Sequence, residues 1–526
     1  MSPPVELSPT AYLKDHASAG RGVFASNLVP AGTEILSVAD PLICIPDEAH
    51  LDTCCHYCMA EATDEASSVN QAYRPSVKLS YCLGCRVVKY CSKTCQATDW
   101  KQKSHKYECV IYKAQYPRVL PVTARAILRM AKHFLSETAG SNIVGGIGAL
   151  KAHAEDFAKS GGERWEMANL TAKATAEFSK VSKQVSFEAE FLRDMYCKLL
   201  VNSASVVTQT FDPIGLCLAY QGAMFNHSCD PNAIMLFDGR QLSIRSLKDV
   251  PKDAEITISY IENLTTRKER KEELKSRYFF DCSCSLCSSD SQPLESIQCT
   301  KCNKSIASNT NICASCNEAV PEDDLSAVLA LATSVTTNRS KKNADKSAEL
   351  ALKSLKSLYG TKLLPSTYPP IPQLHQDLAT SYIDEGNWKS AFLHLLTLYV
   401  KVYPTIYNTS YHPVRVVRTF TLAMVLIQIA VDEPEGLGEK IDFTKVLYGL
   451  LTEVYGNVEK SHGGQSSFAE VVRRKMEEVK IDIGIDSNRE ADKWMGKGLR
   501  AVPGLEGEVG KLVKIVDEFV GTLKSG

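Results

Sequence analysis

Three things are scarce in this sequence: net charge, long apolar runs and any leader-like N-terminus. Lys and Arg number 60 against 61 Asp and Glu, for a formal net charge of −1. That balance argues against a protein built to coat nucleic acid, which is not expected as a main partner. The local run Arg267-Lys268-Glu269-Arg270-Lys271 reads as a solvated helix face. The longest apolar stretch, Leu422 to Val431, is too short to span a bilayer, so no membrane partner is expected. The first residues, Met-Ser-Pro-Pro-Val-Glu, hold no basic stretch leading into an apolar core, so the expected compartment is reducing. Cysteine is missing after Cys316, which sets the remainder of the chain apart.

What is plentiful is cysteine before that point. Of 19 cysteines, all but Cys44, Cys197 and Cys217 fall in 54–109 or 229–316. Clustered thiols in a reducing compartment form metal sites rather than a disulfide framework. The length of 526 residues suggests two to four domains, and 44% hydrophobic with 23% charged residues is ordinary globular composition.

Strand signals open the chain at Gly22-Val23-Phe24-Ala25 and Glu34 to Val38, with the turn Pro30-Ala31-Gly32 between them. Thr123 to Leu200 is mostly helical, interrupted by the glycine-rich stretch Gly140 to Gly148 and by Gly161-Gly162. Strands return at Ile234 to Phe237, Gln241 to Ile244 and Glu255 to Tyr260. Beyond Asp323 helical spacing dominates, in Ser326–Val335, Ser347–Leu358, Leu374–Ile383 and Trp388–Val402. Within it Leu378-Ala379, Tyr382, Gly386-Asn387-Trp388 and Ala391 resemble one tetratricopeptide-type helix pair; the alternative is an unspecialised helical bundle.

Cys55-x2-Cys58, Cys82-x2-Cys85, Cys91-x3-Cys95 and His105-x3-Cys109 supply eight ligands, the number two tetrahedral zinc ions need. His105 and Cys109, four apart, fit one face of a helix. Cys229 with Cys282, Cys284 and Cys287 offers four thiolates for a third zinc. Cys299-x2-Cys302 and Cys313-x2-Cys316 have ribbon-like spacing for a fourth.

Tyr90-Cys91-Ser92-Lys93-Thr94-Cys95-Gln96, Trp100 and His105-Lys106-Tyr107-Glu108-Cys109 look like a MYND finger. Asn226-His227-Ser228-Cys229-Asp230-Pro231-Asn232 resembles the SET-domain signature. It is flanked in family order by Gly20-Arg21-Gly22, Asn202-Ser203, Glu255 to Tyr260 and Tyr278 to Cys287. The chain therefore resembles the SET and MYND domain family of protein-lysine methyltransferases from about Arg21 to Cys287, and more loosely beyond, as at Tyr411-His412-Pro413-Val414-Arg415.

That resemblance implies interleaved zinc sites, one on Cys55, Cys58, Cys91 and Cys95, the other on Cys82, Cys85, His105 and Cys109. Cys54 is then a spare, or a substitute for Cys55. It also implies S-adenosylmethionine as methyl donor, bound by Gly20, Arg21, Gly22, Asn202, Asn226, His227, Tyr260 and Phe280. Glycines leave room for a cofactor against the backbone, and Arg21 is placed to meet its carboxylate. Tyr260 is the expected catalytic residue, orienting the amine, while Tyr278 and Phe280 wall a narrow lysine channel. The third zinc would tie down the segment that carries those two rings.

The resulting expectation is α+β: a SET β-fold core with an inserted MYND zinc finger and a helical insert, followed by an all-α, TPR-like C-terminal domain. Its parts run 1–53 (first part of the SET domain), 54–109 (finger), 110–200 (helical insert), 201–262 (SET core), 263–290 (post-SET zinc segment), 291–320 (ribbon-like element) and 321–526 (helical domain). The glycine-bearing insert, with Gly145-Gly146 and Gly161-Gly162, is larger than the family usually carries. The expected partner is a histone or other protein with a target lysine, and proline-rich peptides are expected on the finger. A monomer in cytoplasm and nucleus completes the expectation, although Arg339-Ser340-Lys341-Lys342 is too short for a nuclear address. The competing reading is a catalytically inactive adaptor using finger and helices to bind partner peptides; a zinc-dependent nucleic-acid binder is disfavoured by charge.

Overall fold

A computed structural model describes residues 7–16, 20–62, 77–135, 146–182, 186–340, 348–432, 441–483 and 506–525. Gly140–Gly145 of the glycine-rich stretch and Lys341-Lys342 lie outside them. The described chain forms two compact units, one up to Tyr260 together with Glu273–Cys282, the other Ile261–Glu272 with everything from Ser283 onward.

The first unit is built on short strands. β1 (Ala11–His16), β2 (Gly20–Ala25), β12 (Glu255–Ile258) and β9 (Asn226–His227) form one sheet, β12 and β9 being parallel neighbours. β10 (Ala233–Asp238), β11 (Gln241–Ser246) and β3 (Glu34–Val38) form a second, and β4 (Ile43–Pro46), β8 (Pro213–Leu218) and β7 (Ala204–Val207) a third. In β12 Ile256 and Ile258 are buried while Glu255 and Thr257 alternate with them, the period-2 pattern of a half-buried strand. The strand stops two residues before Tyr260, which lies on the following turn rather than on the expected strand. The β10–β11 hairpin turns at Gly239, whose φ of +59° suits glycine. A Cβ there would also stand 2.8 Å from the carbonyl oxygen of Cys58 in the finger, so close approach reinforces the requirement.

The finger carries the two-residue strands β5 (Ser80–Tyr81) and β6 (Lys89–Tyr90), then α1 (Lys93–Gln102) and α2 (His105–Gln115). Ser92 caps α1 by accepting from the Cys95 N–H, which fixes the start of the helix bearing that thiol. The insert follows as α3 (Val122–Leu135), α4 (Ala154–Ser160), α5 (Gly162–Ser179) and α6 (Ala189–Asn202), with Gly161-Gly162 breaking α4 from α5 as the sequence predicts. Finger and sheets share one apolar core: Met59, Val88, Tyr90 and Ile111 pack in the same cluster as Val23, Ile35, Ile43 and Ile256.

The second unit includes the short helix α8 (Ser285–Ser288), which follows α7 (Arg267–Tyr278), and the strand pair β13 (Ile297–Gln298) and β14 (Ser305–Ile306). Long helices come next: α9 (Glu322–Ser340), α10 (Ala348–Gly360), α11 (Ile371–Asp384) and α12 (Trp388–Thr397). A single π turn, Leu398–Val402, continues α12 into α13 (Tyr403–Ile406). α14 (Pro413–Asp432), α15 (Phe443–His462), α16 (Ser467–Ile483) and α17 (Glu506–Ser525) complete it. α11 and α12 pack with Leu378, Ala379 and Ala391 fully buried, joined by a turn in which Asn387 caps Ser390. α14 extends the apolar run around Leu422 to a length sufficient, by length and composition alone, to cross a membrane. Most of it is covered within the protein, with Val416, Val417, Phe420 and Leu426 buried.

Candidate active site and metal centres

The signature heptapeptide acts first as a clamp on β12. Asn232 Oδ1 accepts the Thr257 N–H at 2.8 Å, and its Nδ2 donates to Glu255 O at 2.8 Å. At the other end Asn226 Nδ2 donates to Arg21 O (2.8 Å) and Glu255 Oε1 (2.7 Å), drawing β2, β9 and β12 to one point. Both amide hydrogens of Asn226 are thereby committed, so its Oδ1 is what it can offer a ligand. The His227 ring is likewise engaged: Nδ1 accepts the Tyr260 N–H at 3.1 Å and Nε2 lies 3.2 Å from Cys229 Sγ. With both ring nitrogens engaged, what His227 could offer a ligand is its backbone.

Gly22 lies at the same point. A Cβ on it would stand 2.5 Å from Glu255 Oε1 and 3.0 Å from Asn226 Nδ2, so a side chain there would push the Glu255 carboxylate off Asn226. Gly20 has φ +86°, and its Cβ position is 2.8 Å from Lys151 Nζ. Arg21 Nη2 donates to Ala149 O at 3.0 Å, and Asn202 Nδ2 to Lys151 O at 2.9 Å. Arg21 and Asn202 thus hold the segment 149–151 of the insert beside the glycine strand. Lys151 is a cation the sequence analysis did not single out, and a lysine in an irregular segment carries no motif that would have revealed it.

Tyr260 donates its hydroxyl hydrogen to Phe225 O at 2.6 Å. Burial, reinforced by Tyr278 and Glu255, raises its pKa, so it stays protonated near neutrality. Its ring is 5.0 Å from that of Tyr278, whose own hydroxyl donates to Tyr260 O at 3.3 Å. Phe280 lies 6.0 Å from the His227 ring. Tyr260, Tyr278, Phe280 and His227 are therefore brought together.

Between Tyr278 and Phe280, Phe279 adopts φ +63°, an uncommon conformation for a bulky residue. Its ring packs against His153 (5.6 Å) and Phe157 (4.7 Å), with the Arg164 guanidinium 5.7 Å from its centroid. Arg164 also donates to Ser276 O. The helical insert thus grips this segment.

In the finger, Cys55, Cys58, Cys91 and Cys95 gather at one point and Cys82, Cys85, His105 and Cys109 at another, as the interleaved pattern requires. Cys55, not Cys54, joins the first set. The Sγ separations are 3.5 Å for Cys58–Cys91 and Cys91–Cys95 and 3.8 Å for Cys82–Cys109. These match the edge of about 3.8 Å for a tetrahedron of 2.3 Å zinc–sulfur bonds. His105 turns Nε2 to Cys82 (3.4 Å) and Cys85 (3.9 Å), and Nδ1 to Glu108 Oε2 (3.7 Å), the carboxylate-backed orientation of a zinc histidine.

Behind these thiols is a network that the sequence analysis missed. Arg129 of α3, fully buried, donates Nε and Nη2 to the two oxygens of Glu108 at 2.6 Å each, and lies 3.1 Å from Asp99 Oδ1. Asp99 Oδ2 accepts from Tyr90 (2.8 Å) and faces His56 Nδ1 (2.9 Å). Burial pushes the Glu108 carboxyl up, but Arg129 outweighs it and holds the pKa down to about 2.

In the first unit, Cys229 and Cys282 place Sγ atoms 3.9 Å apart. Cys284 and Cys287 follow along the chain in the second unit, at the cap and in the body of α8. Cys299, Cys302, Cys313 and Cys316 also gather at one point.

The SET-domain family profile matches residues 20–261. A Schizosaccharomyces pombe protein named SET domain and MYND-type zinc finger protein 6 is 30% identical over 272 residues, 52% of this chain and 50% of that protein. The Arabidopsis thaliana histone-lysine N-methyltransferase ASHR1 is 26% identical over 495 residues, 88% of this chain and 94% of that protein. The mouse histone-lysine N-methyltransferase SMYD3 is 28% identical over 214 residues, 40% of this chain and 49% of that protein. The chain thus spans about half the length of the yeast and mouse relatives and nearly all of the plant one.

Proposed function

Because the chain belongs to the SET and MYND domain family, we propose that it is a protein-lysine N-methyltransferase using S-adenosylmethionine. The observation that carries the reading is the convergence of Tyr260, Tyr278, Phe280 and His227 beside the Gly22–Asn226–Glu255 corner. When bound, S-adenosylmethionine supplies an electrophilic methyl group, which a neutral amine takes by in-line displacement. The corner fits such a guest: Gly20, at φ +86°, and Gly22 bring bare backbone to it, and Asn226 keeps its Oδ1 to accept. Gly20, Arg21, Gly22, Asn202, Asn226 and the His227 backbone would hold it, with Lys151 as a neighbouring cation.

The chain's own groups then position and dry the acceptor. Tyr260, its hydrogen committed to Phe225 O, presents an oxygen that accepts, and its raised pKa rules it out as the base. The lysine amine must therefore lose its proton to water. Aromatic walls at Tyr278 and Phe280 favour that neutral form by excluding solvent from the stem.

In this reading zinc sits in both finger sites. A histone or other lysine-bearing protein is the substrate, proline-rich peptides bind the finger, and the helical unit is TPR-like. The chain acts as a monomer in cytoplasm and nucleus, which sedimentation and fractionation would test.

The deciding experiment incubates purified protein with labelled S-adenosylmethionine and a lysine-rich protein mixture, alongside Tyr260→Phe. Transfer by the wild type, reduced about 100-fold or more in the variant with cofactor affinity retained, is expected. Absence of label from both would leave the chain a peptide-binding adaptor.

A further inference from the structure

Residues 297–320 take no part in that reaction, yet they are built with unusual regularity. Cys299-x2-Cys302-Asn303 and Cys313-x2-Cys316-Asn317 fold into two turns of one design. In each, the first cysteine's N–H is bonded five residues ahead, Cys299 to Lys304 O (2.9 Å) and Cys313 to Glu318 O (2.8 Å). In each, the asparagine N–H returns to that cysteine's carbonyl, at 2.9 Å for Asn303 and 2.8 Å for Asn317. Asn303 and Asn317 have φ of 58° and 57°, a region that asparagine tolerates better than most side chains.

The repeated turn points two thiols of each loop at the other loop. Cys299–Cys316 and Cys302–Cys313 have Sγ separations of 3.6 and 3.5 Å, and all four sulfurs lie within 4.8 Å of one another. Those spacings suit the tetrahedral edge of about 3.8 Å given by zinc–sulfur bonds. A closed set of four thiolates leaves no position for water or substrate, which makes the ion structural. Lys301 bridges the two turns to Glu318 at 3.0 Å and brings positive charge beside the thiolates.

The element is wedged between two parts of its unit. Ile297, Cys299, Ile306, Cys313 and Val320 share an apolar cluster with Leu355, Leu358, Leu364 and Leu374, and the Gln298 N–H donates to Leu363 O at 2.7 Å. On its other side buried Gln292 donates its N–H to Ser308 Oγ (2.9 Å) and its Nε2 to Leu286 O (2.8 Å), while Oε1 accepts from Arg270 (2.8 Å). Two strands of two residues each cannot hold such a hairpin unaided, so its order has to come from elsewhere.

We propose that Cys299, Cys302, Cys313 and Cys316 bind one Zn2+ ion that folds residues 297–320 into a cap on the apolar core of α10 and α11. The stability of that core then depends on metal. The test uses full-length protein, with elemental analysis and thermal unfolding followed by helical circular dichroism. Cys313→Ser should hold one zinc per chain fewer than wild type and lose helix at lower temperature, whereas Cys302→His, which keeps four ligands, should retain the wild-type count. An unchanged zinc count in Cys313→Ser, iron in place of zinc, or zinc loss with unchanged melting would overturn the proposal. Should Cys313→Ser fail to accumulate, cobalt-loaded Cys302→His decides. It must show weaker thiolate-to-metal absorption than wild type, and an identical spectrum would refute the site.

Discussion

The finger and the helical unit hold themselves together by different means. In the finger the strands are two residues long and the helices span 10 and 11 residues, too little to build a core of their own. Thiol clusters and a buried Arg129–Glu108–Asp99–His56 network supplement the apolar core it shares with the sheets. In the helical unit, 20-residue helices such as α14 and α15 bury Val417, Phe420, Leu426, Leu450 and Val454 against one another. The lesson is about concentration of risk. Stability resting on a few buried charges fails at single positions, while stability spread over many apolar contacts erodes gradually.

The sharpest way to break this contrast is Arg129→Leu. It leaves two buried carboxylates without their cation, with an expected loss of about 3–5 kcal/mol. Denaturant unfolding with zinc-release measurements checks it, and a midpoint close to wild type would mean the network is dispensable.

A second test moves to the helical unit. There the buried pair His375 and His394 share a 2.8 Å Nδ1···Nδ1 contact, with Tyr359 at 2.9 Å on the far nitrogen of His375. Burial lowers both imidazole pKa values, His394 from 6.5 to about 3. Both remain neutral in the fold, so their contribution is complete above the unfolded value and is lost as pH falls below it toward the folded one. Stability of the helical transition should decline by about 2 kcal/mol per imidazole between about pH 6.5 and 5. In His394→Leu the slope should roughly halve, and an unaltered slope would exclude the pair as its source. The smallest effect is expected from Asn387→Ala, which removes the cap of α12 at a cost of about 1 kcal/mol. A drop as large as that of Arg129→Leu would erase the contrast drawn above.

Local chemistry was legible in the sequence; long-range pairing was not. β3 runs from Glu34 to Val38 as its alternation predicts, α6 ends at Asn202, and Gly386-Asn387-Trp388 turns between two helices. The cysteine pairs followed from spacing, because each loop sets its own thiols, while their interleaving into two sets of four rested on the family resemblance. β4 escaped notice because Ile43-Cys44-Ile45-Pro46 is buried throughout and shows no alternation. Arg129 and Lys151 were invisible for a different reason. Their partners are brought near only by tertiary folding, and no periodicity announces a buried arginine 21 residues from its carboxylate.

The twisted backbone at Phe279 has a consequence for how selectivity can change. Its ring sits in the grip of His153, Phe157 and Arg164, while its covalent neighbours pack toward Tyr260 and His227. Repacking that outer grip must rotate Tyr278 and Phe280 together. In the proposed reading, the bore of the lysine passage would therefore be gauged from behind its own wall, by side chains that a substrate never meets.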